Sequence, residues 1–196
     1  MKNCFEKYKT FVMLGKPGSG KGAQTRLLAK ETGFKVFSTG DKFRELQKAD
    51  TPLGRKIANI MDNGHLMPYW FAGFLFQEAV IYLPKEEGII YEGAARKVPE
   101  AELFHDVMEW LERPYKAIYL DISHEESMRR LTKRKDKEGR ADDEESKIQT
   151  RLSVYEKEIV PTLDIFKSRG TFLHINGDQT PEEVFDEIMK KLEEEE

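Results

Sequence analysis

A glycine-rich loop between an apolar run and a helical pattern constrains this chain more than any other feature. Residues 15–22 read Gly-Lys-Pro-Gly-Ser-Gly-Lys-Gly, between the apolar run at 9–14 and helical spacing at 23–30. Glycines let successive backbone N–H groups face one anion, and a helix beginning near Lys21 would point its positive end at the same place. The loop therefore predicts a phosphate-binding turn, although its last position, Gly22, departs from the usual Ser or Thr. A glycine-rich turn with no ligand is the alternative.

Short apolar runs and helical stretches alternate along the rest of the chain. Four further runs have the length of strands: 35–37, 88–91, 116–120 and 171–175. Stretches with helical spacing accompany them at 53–61, 69–83, 99–111, 142–166 and 181–192. Strands that alternate with helices predict a parallel sheet covered by helices on both faces. Together with the run before the glycine loop, the pattern gives an α/β fold with a five-stranded parallel sheet.

The composition is that of a soluble globular chain with one main core. The chain has 196 residues, of which 39% are hydrophobic and 35% charged, and no apolar run approaches the roughly 18 residues of a membrane helix. A formal net charge of -4 argues against nonspecific binding to nucleic acid, which needs a basic excess. The first residues resemble neither a secretory signal nor a transit peptide, so a cytoplasmic location is expected.

Three smaller features limit what else the chain can form. The single cysteine, Cys4, can build neither an internal disulfide nor a cysteine-based zinc cluster. The methionine and phenylalanine residues along and just before 69–76 have helical spacing and are assigned to the core. Residues 193–196 are all glutamate, and repulsion between their charges is expected to keep them frayed.

Several segments resemble the adenylate kinase family. Residues 15–24, Gly-Lys-Pro-Gly-Ser-Gly-Lys-Gly-Ala-Gln, are similar to its form of the phosphate loop, with Ala23 where threonine is usual. Residues 38–44, Ser-Thr-Gly-Asp-Lys-Phe-Arg, resemble the opening of the family's segment that binds a nucleoside monophosphate. Residues 60–68 resemble the stretch that closes the same segment.

The resemblance extends to the family's lid. Arg130 and Arg134 match the arginines that enter the lid, and residues 140–145, followed by Arg151, resemble its exit. The lid is short and lacks the zinc-binding insertion of other members, so no structural zinc is expected. Because closure has to exclude water, the lid is expected to be mobile. The short lid, and a sequence without an evident exposed apolar patch, favour a monomer.

The resemblance implies a P-loop NTPase-type three-layer sandwich with a helical insertion and a short lid. It divides the chain into a core domain at 1–37, 69–130 and 144–196, a monophosphate-binding segment at 38–68 and a lid at 131–143. The implied activity is reversible transfer of the γ-phosphoryl group of ATP to AMP, giving two ADP molecules. Two alternatives stay open: a kinase for another nucleoside monophosphate (GMP, CMP or UMP), and a nucleotide-binding protein with weak transferase activity.

The resemblance also implies roles for individual residues. The ATP contacts are Gly18, Ser19, Gly20, Lys21, Gly22, Ala23, Arg130, Arg134 and Gln179. The AMP contacts are Thr39, Arg44, Leu66, Met67, Gly93, Arg96, Glu100, Arg140 and Arg151. Phosphoryl transfer is catalysed mostly by positioning and electrostatic stabilisation, here expected from Lys21, Arg96, Arg134, Arg140 and Arg151. A single arginine in so charged a chain is more often a surface charge, but several at family positions argue against that reading.

Residues 92–97 depart from the family pattern, because Glu-Gly-Ala-Ala-Arg-Lys stands where Asp-Gly-Phe-Pro-Arg-Thr is usual. The arginine is kept, the acid is longer, and the Phe-Pro pair is lost. Magnesium is implied by the ATP phosphates and would keep most of its waters, since neither Gly22 nor Ala23 offers a hydroxyl ligand. Glu92 is expected to hold it through water.

Glu100 stands where the family carries a glutamine that reads the adenine edge. An ionised carboxylate accepts hydrogen bonds but cannot donate, which suits guanine and leaves a ring nitrogen of adenine without its donor. Alternatively, Glu100 faces solvent as a favourable acid at the start of a helix. AMP is still the expected acceptor because Thr39 and Met67 match the family. If the carboxylate touches the base, Glu100→Gln is expected to raise the rate with AMP.

Overall fold

The computed structural model describes residues 3–138 and 145–195, with side chains omitted at residue 3, at 135–138 and at 145–146. Five parallel strands form one sheet in the order β2-β3-β1-β4-β5. The strands are β1 (Thr10–Gly15), β2 (Lys35–Ser38), β3 (Ile89–Glu92), β4 (Tyr115–Asp121) and β5 (Phe172–Asn176). The predicted five-stranded parallel sheet is confirmed, and each predicted strand end lies within one residue of the observed end.

The central strand explains why its sequence is a continuous apolar run. All six residues of β1 are buried, because β1 pairs with β3 on one side and β4 on the other and has helices on both faces. In this register Val12 lies opposite Tyr91 of β3 and Ala117 of β4. Parallel pairing brings the carboxyl ends of the strands to one edge, where the phosphate loop follows β1.

Helices connect the strands and account for most of the remaining described residues. They are α1 (Asn3–Lys7), α2 (Lys21–Thr32), α3 (Thr39–Gln47), α4 (Pro52–Asp62), α5 (Tyr69–Ile81), α6 (Val98–Trp110), α7 (His124–Glu138), α8 (Glu145–Val154), α9 (Val160–Ser168) and α10 (Pro181–Glu193). Among them, α1, α3 and α7 were not predicted from helical spacing. Helix α7 is almost entirely polar, yet it buries Ser127 and Leu131, which are one turn apart on the same face.

The helix predicted at 142–166 is interrupted within the described residues. A π-helical turn at Tyr155–Ile159 separates α8 from α9. The backbone N–H of Val160 bonds to the carbonyl oxygen of Tyr155, five residues back, instead of four. Pro161 follows directly and has no N–H to donate, so the regular helical ladder is broken at this point.

The core lies in two apolar layers, one on each face of the sheet. One layer packs α5, α6 and α9 around the aromatic rings of Tyr91, Phe104 and Tyr115. The ring centroids of Phe104 lie 5.5 Å from Tyr91 and 5.2 Å from Tyr115, both in edge-to-face geometry. The second layer packs α2 and α10 through Leu28 and Ile188. The predicted three-layer arrangement is therefore confirmed.

The assignment of residues 69–76 to the core is correct for one side of α5 and wrong for the other. Leu75 and Phe76 are buried, but Trp70 is 62% exposed and Phe74 is 56% exposed. Large apolar side chains are therefore exposed on α5, which the expectation of a surface without an evident apolar patch did not anticipate. Helix α5 is apolar all round, so periodicity could not separate its buried side from its exposed one.

The acidic C-terminus is also better ordered than predicted. The Nζ atom of Lys116, which is buried on β4, donates to the carboxylate of Glu195, and the Nζ atom of Lys7 donates to the backbone oxygen of Glu195 at 2.9 Å. The expectation of a frayed end is wrong at Glu195, because a buried ammonium needs a counter-charge. Within residues 3–138 and 145–195, every helix is too short or too polar to cross a bilayer.

Candidate active site

The phosphate loop is held open by glycines that no other residue could replace without movement. Gly15 has φ +140°, and a Cβ there would lie 2.5 Å from the backbone oxygen of Leu120. Gly18 has φ +81°, and its Cβ would lie 3.0 Å from the backbone oxygen of Ser127. Gly20, at φ 93°, precedes the first residue of α2, so the free N–H groups of that helix start face the loop.

Lys21 lies at the base of this loop and is surrounded by positive charge. Its Nζ atom donates to the backbone oxygens of Gly15 and Lys16, both at 2.8 Å. Burial, together with the nearby guanidinium groups of Arg96, Arg151 and Arg134, lowers the pKa of Lys21 to about 7, although the carboxylate of Glu92 opposes the shift. A group so destabilised in its charged form is well placed to receive an anion.

One cavity of about 430 Å³ lies above the loop and collects most of the arginines that the sequence singles out. The guanidinium-bearing residues in its wall are Arg26, Arg44, Arg96, Arg130, Arg134 and Arg151. The carboxylates of Asp41 and Glu92 also line it. Of the arginines expected at the site, only Arg140 is missing from this group, because it lies outside the described residues. Cationic side chains therefore dominate the cavity.

Neighbouring groups hold the arginines in place. The Nη2 atom of Arg130 donates to the backbone oxygen of Gly177 at 2.9 Å, and its Nε atom donates to Glu126 at 2.5 Å. The Nη2 atom of Arg44 donates to Asp41 at 2.5 Å. These are charge-assisted contacts, which limit the rotation of long side chains before any ligand arrives.

A second, wider recess lies on the other side of Arg130. Its volume is about 940 Å³, and its wall includes Ser19, Ala23 and Gln179. The side chain of Gln179 is turned toward α10, where its Nε2 atom donates to Glu187 at 2.6 Å. The expected ATP contacts thus divide: Gly18, Lys21, Gly22 and Arg134 line the central cavity, Ser19 and Gln179 line this recess, and Gly20, Ala23 and Arg130 line both.

Only some of the expected AMP contacts line the central cavity. Leu66 lines the central cavity with Arg44, Arg96 and Arg151, but Thr39, Met67, Gly93 and Glu100 are not part of its wall. Thr39 and Met67 are buried behind it, and Met67 packs with the apolar side chains of α3 and α4. Their roles in AMP binding stay predictions.

Sequence reasoning missed three ionisable residues in the cavity wall, which are Arg26, Asp41 and His65, and the hydroxyl-bearing Ser38. Arg26 lies one helical turn beyond Gly22, and its Nη1 atom is 3.6 Å from the point where a Cβ of Gly22 would stand. That spacing of four residues on α2 could have indicated a shared face. Asp41 precedes Arg44 by three residues, which is the spacing of their ion pair.

The chain from 92 to 100 builds the wall opposite the loop. Glu92 ends β3, and its Oε2 atom lies 3.4 Å from the point where a Cβ of Gly22 would stand. Gly93, at φ +87°, and Ala95, at φ +56°, turn the chain sharply, and α6 follows. Arg96 emerges from this turn into the cavity.

Glu100 is enclosed below this turn. It is 2% exposed, and its Oε1 atom accepts a hydrogen bond of 2.7 Å from the backbone N–H of Ala95. Burial raises the pKa of Glu100 to about 7, although the charge of Arg96 and the backbone amides of Arg96 and Ala95 oppose the rise. The alternative in which Glu100 faces solvent is therefore wrong, because the helix start is packed beneath the turn.

Carboxylates near the phosphate loop fit a magnesium ion bound through water. Glu92 and Asp41 both line the cavity that contains Lys21. In the part of the chain that the structure describes, no three His, Cys, Asp or Glu side chains cluster closely enough to bind a metal directly. Two separated oxygen donors suit an ion that keeps several waters and takes its other ligands from phosphate.

Comparisons with known proteins agree with this geometry. The family model described as adenylate kinase matches residues 13–171. Adenylate kinase of Thermus thermophilus is 34% identical over 185 residues, which cover 92% of this chain and 95% of that protein. Adenylate kinase of Bacteroides fragilis is 34% identical, with 93% and 97% covered, and that of Maricaulis maris is 36% identical, with 93% and 98% covered. With a family model over most of its length and relatives aligned over nearly all of it, the chain belongs to the adenylate kinase family.

Proposed function

We propose that the protein is an ATP:AMP phosphotransferase that reversibly converts ATP and AMP into two molecules of ADP. The observation that carries the proposal is the ring of Arg44, Arg96, Arg134 and Arg151 around one cavity whose base is the phosphate loop with Lys21. The triphosphate of ATP and the phosphate of AMP carry several negative charges that must come together, and fixed positive charge around the cavity offsets their repulsion. A protein that only binds or hydrolyses ATP has no use for guanidinium groups on the acceptor side.

The donor nucleotide binds across the phosphate loop. The N–H groups at the start of α2 and the ammonium of Lys21 bind the β- and γ-phosphates, and Arg134 contacts the γ-phosphate from α7. The recess lined by Gln179 and Arg130 receives the adenosine moiety. Arg130, which lines both cavities, lies at the junction of sugar and phosphates.

The acceptor nucleotide binds on the opposite wall. Arg44, Arg96 and Arg151 bind its phosphate, and Leu66 contacts its base from the segment at 38–68. Planar guanidinium groups can each contact two phosphate oxygens, which fixes the orientation of the phosphate as well as its position. Arg140 belongs to this set by family position, although it lies outside the described residues.

The transfer itself requires little covalent chemistry from the protein. An oxygen of the AMP phosphate forms a bond to the γ-phosphorus while the bond from that phosphorus to the β–γ bridging oxygen breaks, and ADP leaves. A phosphate monoester is mostly dianionic at pH 7, since its second pKa is about 6, so no general base is needed. Lys21, Arg96, Arg134, Arg140 and Arg151 stabilise the charge that spreads over the moving oxygens.

Glu92, whose carboxylate lies next to Gly22 of the phosphate loop, would hold magnesium through water molecules. When bound, the ion neutralises charge on the β- and γ-phosphates of ATP. Since residues 22 and 23 are Gly and Ala, these two positions supply no hydroxyl ligand, and outer-sphere contact with a carboxylate is expected instead.

We also propose the domain boundaries, location and oligomeric state of the enzyme. Its core comprises 1–37, 69–130 and 144–196, with the monophosphate-binding segment at 38–68 and the lid at 131–143. It works as a cytoplasmic monomer on nucleotides, without nucleic acid, membrane or structural zinc. Sedimentation equilibrium tests the monomer, and a mass of twice 22.8 kDa would contradict it.

A substrate panel tests the proposed function. ADP formation from ATP is measured with AMP, GMP, CMP or UMP as acceptor, and with no acceptor. The proposal predicts fast turnover with AMP and its loss in Lys21→Met, while Lys30→Met, an exposed lysine on the same helix, behaves as wild type. Faster turnover with GMP, CMP or UMP would mean that AMP is not the preferred acceptor. Turnover near background with every acceptor, or ATP hydrolysis without an acceptor, would contradict the proposed phosphoryl transfer.

A further inference from the structure

Glu100, which replaces the family's glutamine, has a role that its surroundings define. We propose that Glu100 is a positioning residue, whose buried carboxylate holds the turn at 93–96 so that Arg96 points at the acceptor phosphate. On this view Glu100 does not read the acceptor base. The inference rests on the proposed function, because it assumes that Arg96 binds the acceptor.

The turn at 93–96 has a backbone conformation that needs support. Ala95 has φ +56°, which is unfavourable for a residue with a Cβ and persists only where the neighbouring structure enforces it. The side chains of Ala94 and Ala95 are buried in the core beneath the sheet edge. These small methyl groups fill little space, so packing alone fixes the turn weakly.

The carboxylate of Glu100 supplies the missing support. Its Oε1 atom accepts from the backbone N–H of Ala95 at 2.7 Å, at the residue with the unfavourable φ. The bond is short and sheltered from water, because Glu100 is almost completely buried. A charged acceptor makes a stronger bond than a neutral one, and an unpaired buried N–H would be costly.

The conformation of residues 93–96 determines where the side chain of Arg96 lies. Arg96 follows Ala95 directly, and its guanidinium folds back over Gly93, with Nη2 2.9 Å from the point where a Cβ of Gly93 would stand. Only glycine at position 93 leaves room for this arrangement, and Gly93 itself has φ +87°. A change in the turn would therefore displace the guanidinium from the cavity that it shares with Lys21.

The position of Glu100 does not suit base recognition. Arg96 and Ala94 belong to the wall of the central cavity, whereas Glu100 lies behind them. One of its oxygens is already committed to Ala95. A base would have to displace the turn before it could reach the carboxylate.

Three variants separate the positioning role from base reading. Glu100→Asp keeps the charge but shortens the side chain by one methylene, so the carboxylate falls short of the Ala95 N–H. Glu100→Gln keeps the length and an acceptor oxygen. Glu102→Gln removes an exposed charge from the same helix and serves as the control. Binding is measured at pH 8, where a carboxyl group with a pKa of about 7 is mostly ionised. Calorimetric titration gives Kd for AMP, GMP and ATP, and competition gives Kd for ribose 5-phosphate, which lacks a base. Scanning calorimetry gives Tm.

Positioning predicts a uniform effect on all ligands with an acceptor phosphate. Glu100→Asp should weaken AMP, GMP and ribose 5-phosphate by the same factor, about tenfold for loss of a charged hydrogen bond, with ATP changed less than twofold. Glu100→Gln should weaken all three by about two- to threefold, since a neutral bond is roughly half as strong, and should leave the ratio of AMP to GMP affinity unchanged. If Glu100→Asp does not fold, Glu100→Gln decides the question alone.

Two results would overturn the inference. A changed AMP-to-GMP ratio in Glu100→Gln, with ribose 5-phosphate unaffected, would show that the carboxylate reads the base. A lower Tm with every Kd unchanged would leave Glu100 a purely structural residue. If the wild-type protein binds none of the monophosphates, the proposed function itself is wrong, which is a distinct outcome from either of these.

Discussion

The hydroxyl group of Ser127 donates a hydrogen bond of 2.6 Å to the backbone oxygen of Pro17. The bond fastens the phosphate loop to α7, the helix that carries Arg130 and Arg134 into the cavity. These residues are three and seven positions beyond Ser127, so they lie near the same face of the helix. The loop and the donor-side arginines are therefore held as one unit.

Loss of this bond should loosen ATP binding. Ser127→Ala removes a donor worth about 1 kcal/mol, and we expect KM for ATP to rise about fivefold with little change in KM for AMP. Ser153→Ala, which alters an exposed serine on α8, is the matched control. Initial-rate kinetics on the two variants provide the comparison, and equal KM values for ATP would show that the contact does not matter for binding.

ATP binding should take up a proton. The pKa of Lys21 is lowered to about 7 by burial and by the surrounding arginines, so at pH 8 the free protein has mostly neutral Lys21. Polyphosphate beside the ammonium favours its charged form, and uptake of about one proton on binding is expected by linkage. Titration calorimetry in buffers of different ionisation enthalpy measures this number. If the Lys21→Met variant still takes up a proton when it binds ATP, the proton must bind to a group other than Lys21.

Stability should fall as the pH rises through 7 because of Glu100. Burial raises its folded pKa to about 7. The unfolded carboxyl titrates near 4.3, so between roughly pH 4.5 and 7 the folded state binds more protons and loses stability as they are released. We expect Tm of the wild type to drop by a few degrees relative to Glu100→Gln over this range. Parallel Tm curves for the two proteins would refute the assignment.

Glu195 should contribute to stability through its contact with Lys116. Removing the carboxylate leaves the buried ammonium of Lys116 without its counter-charge, so Glu195→Gln should lower the free energy of unfolding by about 1–3 kcal/mol, although Glu195 itself is partly exposed. Glu194→Gln changes an exposed neighbour whose contact with Lys190 is 3.9 Å and should have little effect. Urea unfolding of the two variants measures the difference. The double variant Lys116→Met with Glu195→Gln should recover much of the loss.

Patterns along the chain predict the sheet well because each strand reads as a short apolar run. Helix α7 escaped prediction because its contact with the rest of the protein is narrow: Ser127 and Leu131 are buried among many charged residues. For helix α5 the prediction assigned too many side chains to the core. Apolar residues occur on all sides of this helix, so the sequence does not show which of them, such as Trp70, face solvent. Hydrophobic periodicity reveals a helix only when one side is clearly apolar and the other clearly polar. Neither α5 nor α7 has that difference between its two sides.

Some residues of the candidate active site can be predicted from the sequence and others cannot. Lys21 is fixed by the spacing of the glycine loop, so sequence alone locates it. Asp41 and Arg26 line the cavity because of how α3 and α2 are placed. Asp41 belongs to the family-like segment at 38–44 but carries no role there, and no motif includes Arg26. Glu100 is buried beneath a turn in which Ala95 has a positive φ, and no residue pattern predicts that conformation.

A crystal structure with a dinucleotide whose two adenosines are joined by five phosphates tests the central claim most directly. We expect guanidinium nitrogens of Arg96, Arg134 and Arg151 within about 3.2 Å of phosphate oxygens, and the backbone N–H groups at Lys21 and Gly22 facing the donor side of the chain. Guanidinium groups that point away from the ligand, or a ligand bound outside the cavity, would contradict the account.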